Sequence, residues 1–361
     1  MRPETEDQLA DILRGANGPL SLRGGATRHV PGAGEALTTS AMTGITLYEP
    51  GAMTIVARAG TTMAELEAAL AEENQRLPFE PMDHRALLGT DGVPTIGGAV
   101  AMNVSGPRRI TVGACRDSLI GVRFVDGTGA VVKNGGRVMK NVTGYDLVKL
   151  LAGSRGRLGV LSEVSLRVLP ATAARATIRL SGLGISDAVA AMSAALGSPF
   201  EVNGAAHVAN GDPVTLLRIE GLEASVTYRA GELRKLLSRF GIVEVEMDGS
   251  DTAAWDAVRD ATMFAGTDED VWRIHCRPSH AADLVARLDT TRVMLDWGGG
   301  LIWAGLPAGT DARARLGAFA GHATRVRGPG PGAEQPEAPA LAALTDGIRA
   351  RFDPRGLFEV T

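Results

Sequence analysis

Apolar residues recur at helical spacing from Glu6 to Arg14, with Leu9, Ile12 and Leu13 on one side, and Gly15 and Gly18 end the run. Pro19 to Arg23 reads as a short strand that Gly24-Gly25 breaks. Leu47 to Pro50 and Thr54 to Ala59 follow as strand, turn and strand. Thr62, with Glu65 three residues on, marks the start of a helix running to about Asn74. Leu77 to Thr95 is loop-like, and a helix of small residues then opens at Thr95 and runs to about Asn103. Leu119 to Val125 alternates apolar and polar positions, Asp126 to Gly129 turn the chain, and Ala130 to Lys133 return as the second arm of a hairpin. A short helix over Gly144 to Leu151 and a strand over Val160 to Leu169 complete this part.

Beyond Ala171 the texture changes. Strand-like runs at Ala176 to Leu180, Val214 to Ile219, Ile242 to Met247 and Val271 to Cys276 alternate with amphipathic helices. These helices lie near Ser186 to Leu196, Glu223 to Phe240, Asp251 to Phe264 and Ser279 to Leu288. The fold class is therefore α+β in two parts. A first domain spans 1–170, a second 171–327 forms an antiparallel-sheet cap, 328–339 is a proline- and glycine-rich linker, and 340–361 supplies a closing helix and tail. That helix, Leu341 to Phe352, stops at Asp353-Pro354.

Composition narrows the function. The chain has 361 residues, a net charge of -4 and no basic block, so no nucleic acid is expected as a partner. No run of 18 apolar residues occurs and the acidic N-terminus has no signal-peptide core, so no transmembrane segment and a cytoplasmic location are expected. The two cysteines, Cys115 and Cys276, are far apart, and we expect both to be buried and reduced. The six histidines show no metal-ligand spacing, so no metal site is expected. P-loop, dinucleotide-fold, nucleophile-elbow and zinc-protease patterns are all absent.

What stands out is glycine, 46 residues in all, concentrated in a few turns. Arg23-Gly24-Gly25-Ala26-Thr27-Arg28 leaves a strand with no bulk at its centre, a sequence able to form an anion-binding nest of main-chain amides or a plain turn. Gly97-Gly98 opens a helix, where free amides can face an anion or close helix packing can need small residues; Asn103, Ser105 and Gly106 follow. Lys140 to Leu147 and Gly153 to Leu161 place more glycines around one short helix.

In this order the pieces resemble the FAD-binding domain of the vanillyl-alcohol oxidase/PCMH-type flavoprotein family over about residues 1–170. Ser105-Gly106-Pro107-Arg108-Arg109, Val138 to Asp146 and Asp296-Trp297-Gly298-Gly299 are most similar to the FAD-binding subunits of bacterial glycolate oxidases. Phe352 to Phe358 resembles the segment that closes back on the FAD domain in that family. The resemblance implies that Arg23, Gly24, Gly25, Ala26, Thr27 and Arg28 bind the FAD pyrophosphate. It places Gly97, Gly98, Asn103, Ser105 and Gly106 along the pyrophosphate and isoalloxazine. Asp117, Gly159 and Val160 would contact the ribityl or adenosine part, and Gly144 and Tyr145 would wall the flavin.

The resemblance also implies a role: a subunit of a glycolate (2-hydroxy acid) oxidising complex, beside a second flavin subunit and an iron–sulfur subunit, reaching the inner membrane only through them. A stand-alone FAD-dependent 2-hydroxy acid oxidoreductase and a non-catalytic scaffold remain the alternatives. Many family members tether the flavin through a histidine in the phosphate loop; here His29 lies outside the matching position, so non-covalent FAD is expected. The His-x-Gly-Asp-Gly-Asn-x-His segment of related dehydrogenases is also missing. Gly204 to Asp212 offers only His207, and no catalytic residue is assigned. Arg273, His275 and Arg277 alternate along a strand, either toward a carboxylate or as a solvated face, and the solvated face is the reading base rates favour.

Overall fold

The computed structural model describes residues 1–28, 34–136, 144–247, 252–329 and 333–358. The chain divides into two compact units. One comprises Met1–Gly106, Val112–Ala171 and Glu337–Thr361; the other comprises Pro107–Thr111 and Thr172–Pro336.

The first unit is built on a five-stranded sheet in the order Ile45–Glu49, Thr54–Arg58, Val160–Arg167, Leu119–Val125, Val131–Gly135. Every neighbouring pair in it is antiparallel. Leu20–Arg23 and Glu35–Thr38 form a separate parallel pair. The helix Met63–Glu72 begins where Thr62 Oγ1 accepts a hydrogen bond from the Glu65 amide, as a capping threonine should. Its Leu66 and Leu70 are buried with Ile55, Phe79, Phe124 and Leu166 in one core. The hairpin turn is held by Asp126 Oδ1, which accepts from the amides of Thr128 and Ala130.

The closing helix Pro339–Phe352 belongs to this unit. After it, Asp353 accepts from the amides of Leu357 and Phe358 at 2.9 and 2.7 Å. Leu357 and Phe358 are buried against Leu9, Leu13 and Val125. Arg355 donates to the Gly127 and Leu13 carbonyls. This small tail is thus knitted to the first helix and to the hairpin turn.

The second unit is built on an eight-stranded antiparallel sheet, in the order Val243–Met247, Ala174–Ser181, Val214–Gly221, Gly204–Ala209, Val293–Asp296, Leu301–Leu306, Asp270–His275, His322–Arg327. Register fixes what each face carries, because residues paired across neighbouring strands share a face. Ile178 pairs with Leu217, Leu295 with Ile302, and Trp272 with Ala304. These join Ala191, Met192, Leu233 and Leu284 of the covering helices in one apolar core. The other face carries Arg218, Met294, Trp303, Arg273, His275 and His322.

Candidate functional site

In the first unit the strand Leu20–Arg23 delivers the chain into the glycine turn. Four carbonyls there are engaged. Arg23 O accepts from the Thr39 amide, Gly24 O from Thr38 Oγ1, Gly25 O from the Val93 amide and Thr27 O from Thr90 Oγ1, at 2.7 to 3.1 Å. A trans peptide points its C=O and the next N–H in opposite directions. Anchoring the carbonyls on the protein therefore turns the following amides the other way. Among the described residues the amides of Gly25, Ala26 and Thr27 donate to no protein acceptor. Ala26 lies at φ 56°, in the left-handed region. Successive outward amides with a left-handed residue among them are the ingredients of an anion nest, and they need water or an anion to satisfy them.

The glycines serve a second purpose. A Cβ on Gly25 would lie 1.5 Å from the Val93 carbonyl oxygen, and one on Gly24 would lie 2.9 Å from Thr95 Oγ1. The turn is therefore pressed on the segment Val93–Thr95, immediately before the helix Ile96–Ala101. The two glycine-rich stretches, seventy residues apart in sequence, pack on each other.

The expected free amides at the start of that helix are not there. The Ile96 amide donates to Thr61 O, that of Gly97 to Ala59 O, and that of Gly98 faces Thr95 Oγ1 at 3.4 Å. Gly97 is small because a Cβ would come within 2.6 Å of Ala59 Cβ. Asn103 stands at φ 49°; its Oδ1 accepts from the Arg116 amide, and Ser105 Oγ accepts from the Cys115 amide. Asp117 accepts from the Ala114 amide at 2.7 Å. These three polar side chains tie 103–117 into one loop.

Gly159, at φ 149°, could not carry a Cβ beside Phe124, and Val160 is buried in the sheet. Gly144 lies at φ 83°, and the Tyr145 side chain is 90% exposed. The stretch Val138 to Val142, singled out in the sequence, falls outside the described residues. Arg28 reaches His84 Nδ1 at 3.2 Å, a pairing no local pattern announces.

Both cysteines are free. Cys115 is buried, and burial, with Asp117 next in weight, pushes its thiol well above the usual range. Cys276 is only half-buried, contrary to expectation, and burial raises its thiol to about 11. Both are protonated thiols at neutral pH, poor nucleophiles and poor ligands. Among the described residues no group of three or more His, Cys, Asp or Glu side chains could hold a metal ion.

In the second unit His207 is fully buried, facing Thr215 Oγ1 through Nδ1 at 2.9 Å, and burial lowers its pKa to about 4. It sits on the helix-covered face, paired with Leu295. Arg273 and His275 are not the solvated strand face that base rates favour. Both are partly buried, and Arg273 contacts His275 Nε2 at 2.5 Å. Arg277 lies beyond the strand's end and is exposed.

Residues 1–135 match the family described as FAD binding domain. The chain is 33% identical over 349 residues to glycolate oxidase subunit GlcE of Escherichia coli (strain K12), covering 94% of this chain and 91% of that one. It is 30% identical over 178 residues to D-lactate dehydrogenase of Archaeoglobus fulgidus, covering 47% of this chain and 38% of that one. Among solved structures, alkyldihydroxyacetonephosphate synthase superposes with a TM-score of 0.74 at 14% identity, over 99% of this chain and 76% of that chain. The fold is the PCMH-type FAD-binding fold. Likeness along nearly the whole of both sequences, and not over the FAD domain alone, decides the family: the chain belongs to that of glycolate oxidase subunit GlcE and carries its FAD-binding domain.

Proposed function

We propose that the chain is the FAD-binding subunit of a complex that oxidises glycolate, a 2-hydroxy acid, to glyoxylate and passes the electrons toward an iron–sulfur partner, with a second flavin subunit beside it. The observation that carries the reading is the end-to-end match to a protein named as a glycolate oxidase subunit. The outward amides of Gly25 to Thr27 support it, since a diphosphate is a ligand that can satisfy several adjacent amides at once. When bound, FAD would supply an acceptor for the hydride on the carbon that bears the α-hydroxyl.

The chain's own residues then divide the work. Arg23 to Arg28 hold the pyrophosphate, through amides at the centre and guanidinium charge at the ends. Gly97 and Gly98 contribute flatness rather than donors, letting the cofactor approach the main chain. Asn103, Ser105, Gly106, Asp117, Gly144, Tyr145, Gly159 and Val160 line the remainder. The first unit, Met1–Gly106 with Val112–Ala171 and Glu337–Thr361, would be the FAD domain, and the second, Pro107–Thr111 with Thr172–Pro336, the cap, so that most of the expected linker 328–339 falls within the cap.

FAD is held without a covalent bond, because the turn has no histidine and the thiol of Cys115 is protonated and buried. Two cysteines cannot supply the four thiolates of a typical iron–sulfur cluster, so onward transfer needs a partner. The chain would lie in the cytoplasm and meet the inner membrane only through its partners; no helix among the described residues is long and apolar enough to cross one.

The test is co-purification followed by anaerobic addition of glycolate, reading the visible flavin absorbance of the assembly and of the chain alone. Bleaching of the assembly with a much slower response from the isolated chain is expected. Equal bleaching of the isolated chain would make it a stand-alone oxidoreductase, and a chain that takes up no FAD would make it a scaffold.

A further inference from the structure

The turn Asp296-Trp297-Gly298-Gly299 carries three successive residues at positive φ. Trp297 lies at φ 55°, followed by Gly298 at 67° and Gly299 at 99°. A left-handed conformation is ordinary for glycine and rare for a residue as bulky as tryptophan. Asp296 holds the turn by accepting from the Trp297 amide at 2.7 Å. Strained residues of this kind persist where the surroundings over-determine them, commonly at ligand sites.

The Trp297 ring gathers cations. The guanidinium of Arg109 lies 4.6 Å from its centroid and that of Arg273 lies 5.2 Å away. The His275 ring is 5.2 Å from it, tilted, and is itself stacked on His322 at 4.4 Å. Arg109 comes from a different stretch of sequence, three residues after Gly106. It belongs to the segment Pro107–Thr111, assigned to the second unit. Its neighbour Arg108 anchors that segment by donating to both oxygens of the buried Glu220 carboxylate at 3.1 and 3.2 Å. Asn203 donates to the same carboxylate at 2.8 Å.

Two guanidiniums thus lie within cation–π range of one tryptophan ring, with the His275 ring beside them. Arg273 donates to His275 Nε2, which leaves His275 neutral with its proton on Nδ1. Burial, then Arg273, His322 and Arg109, lower the His275 pKa to about 2, so this ring stays a neutral donor throughout the working range. Planar guanidiniums and imidazole N–H groups brought together from three stretches of the chain suit a planar carboxylate.

We propose that Arg109, Arg273 and His275, gathered around the strained Trp297, and His322, stacked on His275, form a binding site for a small carboxylate anion. It deepens the functional reading above, on which it rests for the ligand's identity, since every 2-hydroxy acid carries this group. The Arg108–Glu220 pair acts as a positioning device for Arg109.

The test is calorimetric titration of oxalate into the full chain loaded with FAD, with FAD uptake read separately from the visible spectrum. One oxalate should bind per chain. Arg109→Gln and Arg273→Gln should each weaken it at least tenfold, and His322→Gln, at an exposed edge position, severalfold. FAD uptake should be unchanged in all three. Arg349→Gln, on the closing helix, should bind oxalate as the parent does. If Arg109→Gln or Arg273→Gln does not fold, Arg273→Lys keeps the charge while losing the planar fork, and it too should bind more weakly. Failure of the parent to bind oxalate, equal affinity in these variants, or equal affinity for inorganic sulfate would overturn the site. A chain that binds oxalate but not FAD would instead contradict the flavin reading and leave the site standing.

Discussion

Gly25 shows how one residue serves two demands. Its amide faces outward, while the space a side chain would take is filled by the Val93 carbonyl. Gly25→Ala should destabilise the chain by about 1–3 kcal/mol, the usual cost of overpacking, and lower its FAD affinity; thermal unfolding and FAD titration check both. The sequence announces glycine at these positions but not its partner. At Gly97 the local pattern suggested free helix-start amides, whereas the amide is spent on Ala59 O, far upstream. Contacts of that range leave no trace in a local pattern.

His207 is a second residue-scale case. Its folded pKa, about 4, lies below the ordinary value near 6.5. The unfolded chain therefore binds more protons between those values, and the stability from neutral His207 is complete above about pH 6.5 and lost as pH falls toward 4. The amount is on the order of 3 kcal/mol. Denaturant midpoints should fall over that range in the parent and fall less steeply in His207→Gln.

Among elements, the locally encoded ones were legible. The helix Met63–Glu72 starts at Thr62 because the hydroxyl and the Glu65 amide are three residues apart, a relation the sequence contains in full. Thr62→Ala should cost about 1 kcal/mol in thermal unfolding. The hairpin turn at Asp126 was legible for the same reason. Four strands of the second unit were not: Gly204–Ala209, Val293–Asp296, Leu301–Leu306 and His322–Arg327. Leu301–Leu306 and Val293–Asp296 are buried at every position, so they lack the alternation that marks a half-exposed strand. Gly204–Ala209, noted in the sequence only as lacking the family's paired histidines, is a central strand whose His207 points into the helix-covered core.

The excursion Pro107–Thr111 was equally hidden, since the sequence marks Ser105 to Arg109 as one continuous motif. Its anchor is a buried ion pair, and such pairs are costly to break from one side. Glu220→Ala should therefore destabilise the chain by about 3–5 kcal/mol, measurable by denaturant unfolding, whereas replacing exposed Asp346, partner of Arg349, should change little.

For the whole molecule, the FAD-binding fold was readable because its glycine turns come in a fixed order, and the likeness to alkyldihydroxyacetonephosphate synthase bears it out at only 14% identity. Family membership rests on more than the flavin domain, since the match to the Escherichia coli subunit runs along nearly the whole chain. No catalytic residue was readable, because the histidine-rich segment that would have marked one is absent, and the arginines and histidines near Trp297 come from three separate stretches. The central claim is that this chain holds FAD and works within an assembly. Anaerobic addition of glycolate to the FAD-loaded chain, with and without its co-purified partners, tests it most directly. The flavin absorbance should bleach rapidly in the assembly and slowly or not at all in the isolated chain; equal rates in both, or no flavin bound to this chain in either, would contradict the account.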